Sequence, residues 1–255
     1  MAYATIEVDT MTVTKVSYAD PGVAAAGTAV FKVDDQYAKP FLENGRDLRY
    51  FLYTQYAAIM TPAHILQYRE VLRMVPAGGK IVEIGSFCGG SAKVALEMIS
   101  PDTHLTCIDC GWKHDQDTLN LGQTRKNLLD SHWVIHIDLN HAVTTFDTRL
   151  SFARHYLRQY DNVTLIPGCS PDSVLDWQDT IDLYFEDGEH TNPTLRSNLD
   201  FWVPRVKSGG IIAGHDYDNP ECPDVNTEAH ALAERLGSEL HHGNGPGSIW
   251  WVRKP

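Results

Sequence analysis

Residues 81–91, which read Ile-Val-Glu-Ile-Gly-Ser-Phe-Cys-Gly-Gly-Ser, constrain the fold more than any other segment of the chain. A short apolar run breaks at Gly85 and gives way, after Gly89 and Gly90, to a pattern typical of a helix. A strand that passes through a glycine turn into a helix binds nucleotide-like ligands at the carboxyl end of a parallel sheet. The segment therefore predicts an α/β fold with a ligand site at this turn.

The spacing of the glycines narrows the class of ligand. A dinucleotide site requires G-x-G-x-x-G, whereas the corresponding positions here are Gly85, Phe87 and Gly90. Because the middle glycine lets the backbone approach a pyrophosphate, its absence argues against NAD and for a ligand without phosphates. Asp109 lies 24 residues after Gly85 and can accept both hydrogen bonds of a ribose diol. A role for Asp109 as a simple strand-end cap is the alternative.

Strand-like and helix-like segments alternate downstream of Gly79 and predict a doubly wound, mostly parallel sheet covered on both faces. The predicted strands are 80–85, 104–109, 163–167, 181–186 and 210–213, and residues 207–210 form a predicted turn. The predicted helices are 92–99, 196–206 and 228–236. Segments 239–242 and 248–253 flank a glycine-rich turn and predict a closing antiparallel hairpin.

Two regions lie outside this alternation and suggest how the chain is divided. Residues 1–75 begin with a polar, irregular arm and then become helical, with Thr61-Pro62 as a helix start. Residues 110–161 separate the second and third strands and include a predicted amphipathic helix at 146–160. An insertion of this length above a ligand-binding edge is expected to shape a substrate pocket. We therefore expect an amino-terminal element at 1–75 and a main domain at 76–255.

Composition excludes several partners. The net charge of −12 disfavours nucleic acid, which requires a basic face. No apolar run reaches the ~20 residues of a membrane span, and the amino terminus lacks a signal-peptide pattern. The C-x-x-C pair Cys107 and Cys110 has no second pair to complete a zinc site, so the cysteines are interpreted as buried thiols. We expect a cytoplasmic protein with a small-molecule partner and no membrane or nucleic-acid partner.

The motif that runs from Glu83 through Gly85 to Gly89, together with Asp109, resembles class I S-adenosylmethionine-dependent methyltransferases. The terminal hairpin resembles their reversed last strand, and the resemblance covers about residues 60–255. It implies a Rossmann-like, seven-stranded, mostly parallel sheet with a C-terminal antiparallel hairpin, and S-adenosylmethionine as cofactor. The residues expected at the cofactor are Glu83, Gly85, Ser86, Gly89, Asp109, Cys169, Ser170 and Asp187.

Acids and histidines follow the fourth and fifth predicted strands: Asp187 and His190 after one, His215 and Asp216 after the other. Adjacent parallel strands lie roughly 5 Å apart, so these side chains can face one pocket. Two carboxylates and a histidine are a suitable site for a divalent metal. The alternatives are a simple turn at Asp187, a helix-capping role for His190, and purely structural roles for His215 and Asp216.

This pair of segments is similar to a subgroup of metal-dependent small-molecule O-methyltransferases, which act on macrolide or aminocoumarin sugars, and to cephalosporin-hydroxylase-like proteins. The resemblance implies Asp187 and Asp216 as metal ligands and His190 as catalytic base. His215 stands where the family often has an acid, which would shift a magnesium site towards manganese, iron or zinc. Alternatively, His215 orients the substrate. The resemblance also implies a homo-oligomer that associates through residues 1–75.

The expected function is therefore a divalent-metal-assisted O-methyltransferase that acts on a small hydroxylated molecule, such as a natural-product intermediate. One alternative is a metal-dependent hydroxylase or oxygenase on the same fold. Others are an N-methyltransferase and a non-catalytic binding protein that retains only the cofactor fold.

Overall fold

The computed structural model of the protein describes residues 2–9, 12–18, 28–33, 60, 62–112 and 149–255. Its amino-terminal part contains the strands β1 (Ala2–Asp9), β2 (Thr12–Tyr18) and β3 (Thr28–Val33). These form a separate antiparallel sheet in the order β2-β1-β3. The predicted irregular arm is therefore wrong for these strands, because threonine, valine and isoleucine favour a pleated conformation even in a polar segment.

The main sheet has seven strands in the order β6-β5-β4-β7-β8-β10-β9. Strands β4 to β8 run parallel to one another, whereas β10 is antiparallel to both β8 and β9. This confirms the predicted α/β, doubly wound sheet with its antiparallel carboxyl-terminal hairpin. The strands are β4 (Lys80–Ile84), β5 (His104–Asp109), β6 (Val163–Pro167), β7 (Ile181–Glu186), β8 (Val206–Tyr217), β9 (His241–His242) and β10 (Ser248–Arg253).

Helices cover both faces of this sheet, as the near-continuous apolar strands require. Consecutive residues of β7 show the two faces: the Phe185 ring stacks on Tyr68 of α1, and the Tyr184 ring stacks on Trp202 of α4. All four side chains are completely buried. The helices are α1 (Pro62–Leu72), α2 (Gly90–Met98), α3 (Arg149–Tyr156), α4 (Thr194–Trp202) and α5 (Pro223–Leu236).

Helix α1 confirms Pro62 as a helix start, and its buried residues belong to the same core as α2 and β4. Helix α3 is the described part of the predicted helix at 146–160, and most of the insertion, 113–148, lies outside the described residues. Within the described part of the chain, every helix is too short or too polar to cross a bilayer.

Strand β8 is longer than predicted, and the predicted turn at 207–210 is wrong. The segment continues the strand through an irregularity in its pairing with β7, because Gly209 donates a backbone hydrogen bond to Lys254 O at 2.7 Å. Helix α4 consequently ends earlier than predicted, at Trp202, and a short 3₁₀ turn containing Pro204 leads into β8. Helix α5 begins earlier than predicted, with Pro223 in its first turn.

Candidate active site

A cavity of about 1320 Å³ opens at the carboxyl ends of β4, β5, β7 and β8. Strand order reverses between β4 and β7, and ligands of open α/β sheets bind outside such a switch point. The cavity brings together both sets of residues that the sequence predicts. From the predicted cofactor set, its described lining includes Gly85, Ser86, Asp109, Cys169, Ser170 and Asp187; from the predicted catalytic and metal set, it includes His190, His215 and Asp216.

Gly85 lets the two central strands meet at this point. Its φ angle is +85°, and a Cβ atom there would lie 2.2 Å from the backbone oxygen of Asp187 and 2.3 Å from Gly188 Cα. The Asp187 amide donates a hydrogen bond to Ile84 O at 2.9 Å. Only glycine allows this approach, so the turn after β4 determines where Asp187 lies.

Asp109 is held by backbone donors on both of its carboxylate oxygens. Phe87 N donates to Oδ2 at 2.7 Å, and Gly111 N donates to Oδ1 at 2.7 Å. A carboxylate oxygen can accept more than one hydrogen bond, so a ligand hydroxyl at the cavity can also donate to Asp109. Phe87 occupies the position of the missing glycine with a φ of 48°, and its carbonyl accepts a hydrogen bond from Trp112 Nε1.

Cys110 and Cys169 form a disulfide that joins the loops after β5 and β6. The interpretation of Cys110 as a buried thiol is therefore wrong, whereas Cys88, Cys107 and Cys222 are not disulfide-bonded. Both half-cystines line the cavity beside Asp109 and Ser170. Because disulfides are rare in the reducing cytosol, the cysteines no longer support the expected cytoplasmic location, which stays a prediction.

Glu83 and Gly89, two of the predicted cofactor residues, are not among the described residues that line the cavity. Glu83 is completely buried and accepts hydrogen bonds from Ser91 Oγ at 2.8 Å and Tyr68 OH at 3.3 Å. Burial raises the pKa of its carboxyl group to about 7. Gly89 has a φ of +83° and precedes α2. Both residues thus position the turn and the start of α2.

Four side chains converge at the ends of β7 and β8. Asp187 Oδ1 lies 3.2 Å from His215 Nδ1 and 3.8 Å from His190 Nε2. Asp216 Oδ2 lies 3.0 Å from His190 Nε2 and 3.4 Å from His215 Nδ1. Asp216 has a φ of +59°, and its second oxygen accepts a hydrogen bond from Asn219. Two carboxylates and two imidazoles therefore form one cluster in the wall of the cavity.

Mutual attraction shifts the protonation of this cluster. The carboxylate of Asp187, followed by that of Asp216, raises the pKa of His190 to about 11. Burial opposes the charged form of His215, but the charges and hydrogen bonds of Asp187 and Asp216 together outweigh it, and the pKa of His215 rises to about 9. Although burial alone would raise the pKa of Asp216, its histidine neighbours hold that pKa far below the usual range.

His64 of helix α1 belongs to the same cluster and was not predicted. Its Nδ1 lies 2.9 Å from Nε2 of His215, and both rings are buried. Burial, with the nearby His215 charge, lowers the pKa of His64 to about 4. His64 is therefore neutral and can accept the proton of His215 Nε2 in a hydrogen bond. The two residues are 151 positions apart, so no local pattern links them.

The donor set fits a divalent metal ion. One donor atom from each of Asp187, His215 and Asp216 lies within 4.8 Å of the others. The contact distances of 3.2 and 3.4 Å resemble the separation of adjacent ligands around an ion with bonds of ~2.1 Å. His190 Nε2 is buried and has no aligned hydrogen-bond partner among the described residues. Such an atom is available for proton transfer or ligation.

Several solved structures share this fold. Precorrin-6y C5,15-methyltransferase from Geobacter metallireducens GS-15 is 17% identical, with a TM-score of 0.53 over 77% of this chain and 90% of its own. A Bacillus cereus O-methyltransferase in complex with SAH is 14% identical, with a TM-score of 0.52 over 87% and 92%. A methyltransferase from Geobacter sulfurreducens is 14% identical, with a TM-score of 0.53 over 88% and 98%. No curated protein matches the chain in sequence.

The family comparison covers the elements that build the cavity. A family model described as a methyltransferase domain matches residues 82–217, more than half of the chain, from β4 to the end of β8. This range contains the Gly85 turn, Asp109 and the cluster around Asp187, and it confirms the class I methyltransferase resemblance at the level of family and fold. The chain is therefore a member of this methyltransferase-domain family.

Proposed function

We propose that the protein is an S-adenosylmethionine-dependent, divalent-metal-assisted O-methyltransferase that acts on a small hydroxylated molecule. The observation that carries the proposal is the position of the His190, His215, Asp187 and Asp216 cluster in the same cavity as the Gly85 turn and Asp109. A methyl donor at the turn and an acceptor hydroxyl at the cluster would share one enclosed space. A natural-product intermediate is the acceptor class that we favour.

The cofactor side supports a nucleoside without phosphates. Phe87 stands where a dinucleotide site has the glycine that lets a pyrophosphate approach, and the Asp109 carboxylate lies at the cavity, where it can accept hydrogen bonds from a ribose diol. Ser170 lies at the cavity with its Oγ accepting a hydrogen bond from Trp202 Nε1 at 2.8 Å, which orients the hydroxyl at the adenine side. The Bacillus cereus relative was solved in complex with SAH, the product of such a cofactor.

The catalytic side supports deprotonation of a hydroxyl group. His190 is the proton acceptor, because it lies at the cavity and its Nε2 has a lone pair once the proton held there by Asp187 and Asp216 has left. Asp187, Asp216 and His215 would hold the metal. A bound divalent ion would supply the positive charge that lowers the pKa of the acceptor hydroxyl. The residues that line the cavity would position the acceptor for in-line transfer.

The ligand set also bears on the choice of metal. An imidazole at the position of His215 favours manganese, iron or zinc over magnesium, which prefers oxygen ligands. Two histidines and one carboxylate, His190, His215 and Asp216, are also the ligand types of iron-dependent oxygenases. A hydroxylase is therefore the second candidate, and an N-methyltransferase the third.

The test is transfer of a labelled methyl group from S-adenosylmethionine to a panel of catechols, sugar diols and amines, after chelation and with Mg²⁺ or Mn²⁺ restored. We expect labelled ethers, metal dependence, and loss of transfer in Asp187→Asn. Asp182→Asn is the matched control, because Asp182 lies on β7, the strand that leads to Asp187, but pairs with Lys207 outside the described lining of the cavity. Labelled amines alone, or hydroxylation with Fe²⁺ and oxygen instead, would replace the proposal with one of its rivals.

We expect His64→Ala to weaken metal binding by about 10–100-fold, the usual effect of removing the partner of a ligating histidine. His64 Nδ1 accepts a hydrogen bond from His215 Nε2, and this tautomer of His215 leaves the lone pair of its Nδ1 for the ion. Mn²⁺ titration by calorimetry measures the change without any turnover. His64→Asn, whose side-chain oxygen can replace Nδ1 as acceptor, should recover most of the affinity; equal losses in both variants would show that His64 matters only for packing.

Association of subunits through residues 1–75 stays a prediction, which light scattering of the full chain would check.

A further inference from the structure

Cys222 lies beside the catalytic cluster and has no role in the proposed reaction. It is a free, partly buried cysteine that precedes helix α5. Its sulfur, one nitrogen of His190 and one carboxylate oxygen of Asp216 all lie within 4.8 Å of one another. The neighbouring residues Asn219 and Glu221 line the cavity, so solvent ions reach this edge.

This set shares Asp216 with the group of Asp187, His215 and Asp216 but has a thiol in place of the second carboxylate. A thiolate, an imidazole and a carboxylate are ligands of Zn²⁺ and of other thiophilic divalent ions, whereas Mg²⁺ does not select thiolates. Adjacent ligands of a tetrahedral zinc ion lie ~3.3–3.8 Å apart, given bonds of ~2.0–2.3 Å. The present separations are therefore within about 1 Å of that geometry, which a rotation of the Cys222 side chain can close.

His190 connects this arrangement to catalysis. A histidine whose Nε2 lone pair is bound to a metal cannot accept a proton with it. His190 Nε2 lies 3.0 Å from Asp216 Oδ2, so an ion held by Asp216 and this nitrogen would prevent His190 from acting as the base.

We propose that His190, Asp216 and Cys222 form a second metal site, selective for Zn²⁺ and similar thiophilic ions, that inhibits the enzyme by occupying the catalytic base. In the metal-free protein, binding displaces one proton from the Cys222 thiol and one from the His190 imidazolium to solvent, and it involves no redox change. The existence of the site is independent of the proposed function; only the inhibition depends on it.

The binding test uses Co²⁺ as a probe of the full chain in thiol-free buffer. We expect parent protein to show a near-ultraviolet thiolate-to-metal absorption band that saturates at one ion per chain and that Zn²⁺ abolishes by competition. Cys222→Ser should remove the band. Cys88 and Cys107 are completely buried and remain present in that variant, so they serve as internal controls. A band that persists in Cys222→Ser, or no band in parent protein, would overturn the proposal.

Asp187→Asn separates this site from the proposed reaction. Asp187 belongs to the first group of donors and not to the second. The cobalt band should therefore survive in Asp187→Asn, even though methyl transfer is lost. If no methyl transfer occurs in any protein but the band behaves as expected, the proposed function fails and the second site stands.

The inhibition test measures methyl transfer at fixed Mn²⁺ with increasing Zn²⁺, each variant relative to its own zinc-free rate. The Zn²⁺ concentration for half inhibition should rise at least tenfold in Cys222→Ser, because one of three ligands is replaced by a weakly ligating hydroxyl. The same concentration in both proteins would mean that zinc acts by replacing Mn²⁺ at Asp187 and its neighbours, and the inhibitory role would be rejected.

Discussion

Replacing His190 by alanine should lower kcat for methyl transfer by about 10²–10⁴-fold, the usual contribution of a general base. The affinity for S-adenosylmethionine should stay within twofold, because the Gly85 turn and Asp109 form the other side of the cavity. Rapid-quench turnover and a cofactor titration measure the two quantities separately. A variant that binds the cofactor normally and transfers methyl groups at the parent rate would contradict the assignment of His190 as base.

The pH dependence of turnover and of metal binding, compared between the parent protein and His190→Ala, tests the base more directly. In the metal-free protein, the Asp187 and Asp216 carboxylates raise the pKa of His190 to about 11, so the ring carries a proton at neutral pH. His190 can act as a base only after that proton leaves. Turnover should therefore rise with pH. Metal binding, which neutralises the same carboxylates, should release the His190 proton in addition to the proton that His215 loses when its Nδ1 binds the ion. Calorimetry in buffers of different ionisation enthalpy counts the released protons, and His190→Ala should release one fewer than the parent.

Two controls distinguish a base from a packing residue. Exogenous imidazole should restore part of the lost turnover in His190→Ala, since the alanine leaves space for a small base at the cavity. His241→Ala removes a histidine from β9 that stacks on Trp251, outside the described lining of the cavity. It should leave both the rate and the pH profile unchanged. A similar loss in His241→Ala would indicate a general effect on folding.

The central sheet could be predicted because its strands are buried on both faces and read as apolar runs. The bounds of β5, β6 and β7 are the same as predicted, and Asp109 ends its strand at the cavity as expected. Asp187 and Asp216 meet because adjacent parallel strands bring their carboxyl ends together, which depends only on strand order. Such features follow from local pattern and topology.

Features that depend on contacts distant in sequence could not be predicted. His64 reaches His215 across 151 positions, and Cys110 pairs with Cys169 across 59, although its nearest cysteine in sequence is Cys107. Hydrophobic periodicity reports which face of an element is buried, not which polar side chain lies opposite. The C-x-x-C spacing of Cys107 and Cys110 therefore gives no indication that Cys169 is the disulfide partner of Cys110.

Local signals were also misleading where tertiary pairing overrides them. The glycines at 209 and 210 favour a turn, yet the backbone there pairs with Lys254 and β8 continues through it. The turn predicted at Gly85 is present. Its glycine is required both by its positive φ angle and by the close approach of the Asp187 backbone. The two positions look alike in sequence, and only their surroundings separate them.

That difference leads to a matched pair of substitutions. Gly85→Ala should destabilise the protein by roughly 2–5 kcal/mol, from ~1–2 kcal/mol for alanine at positive φ and ~1–3 kcal/mol for overpacking. The obstructing atoms, Asp187 O and Gly188 Cα, are backbone and cannot rotate away. Gly209→Ala has a similar φ of +78° but no atom within 4 Å of the new Cβ, so it should lose only the ~1–2 kcal/mol of strain.

The two variants should differ more in their affinity for the cofactor product than in their free energy of unfolding. Relief of the Gly85→Ala clash requires β4 and β7 to move apart at their carboxyl ends, which displaces Asp187 from the cluster and widens the cofactor turn. We expect the Kd for S-adenosylhomocysteine to rise at least tenfold in Gly85→Ala and to stay unchanged in Gly209→Ala. Urea unfolding and ligand titration measure the two effects. Equal losses of stability, with parent-like binding in both variants, would show that the strand ends tolerate the methyl group and that Gly85 does not determine the position of Asp187.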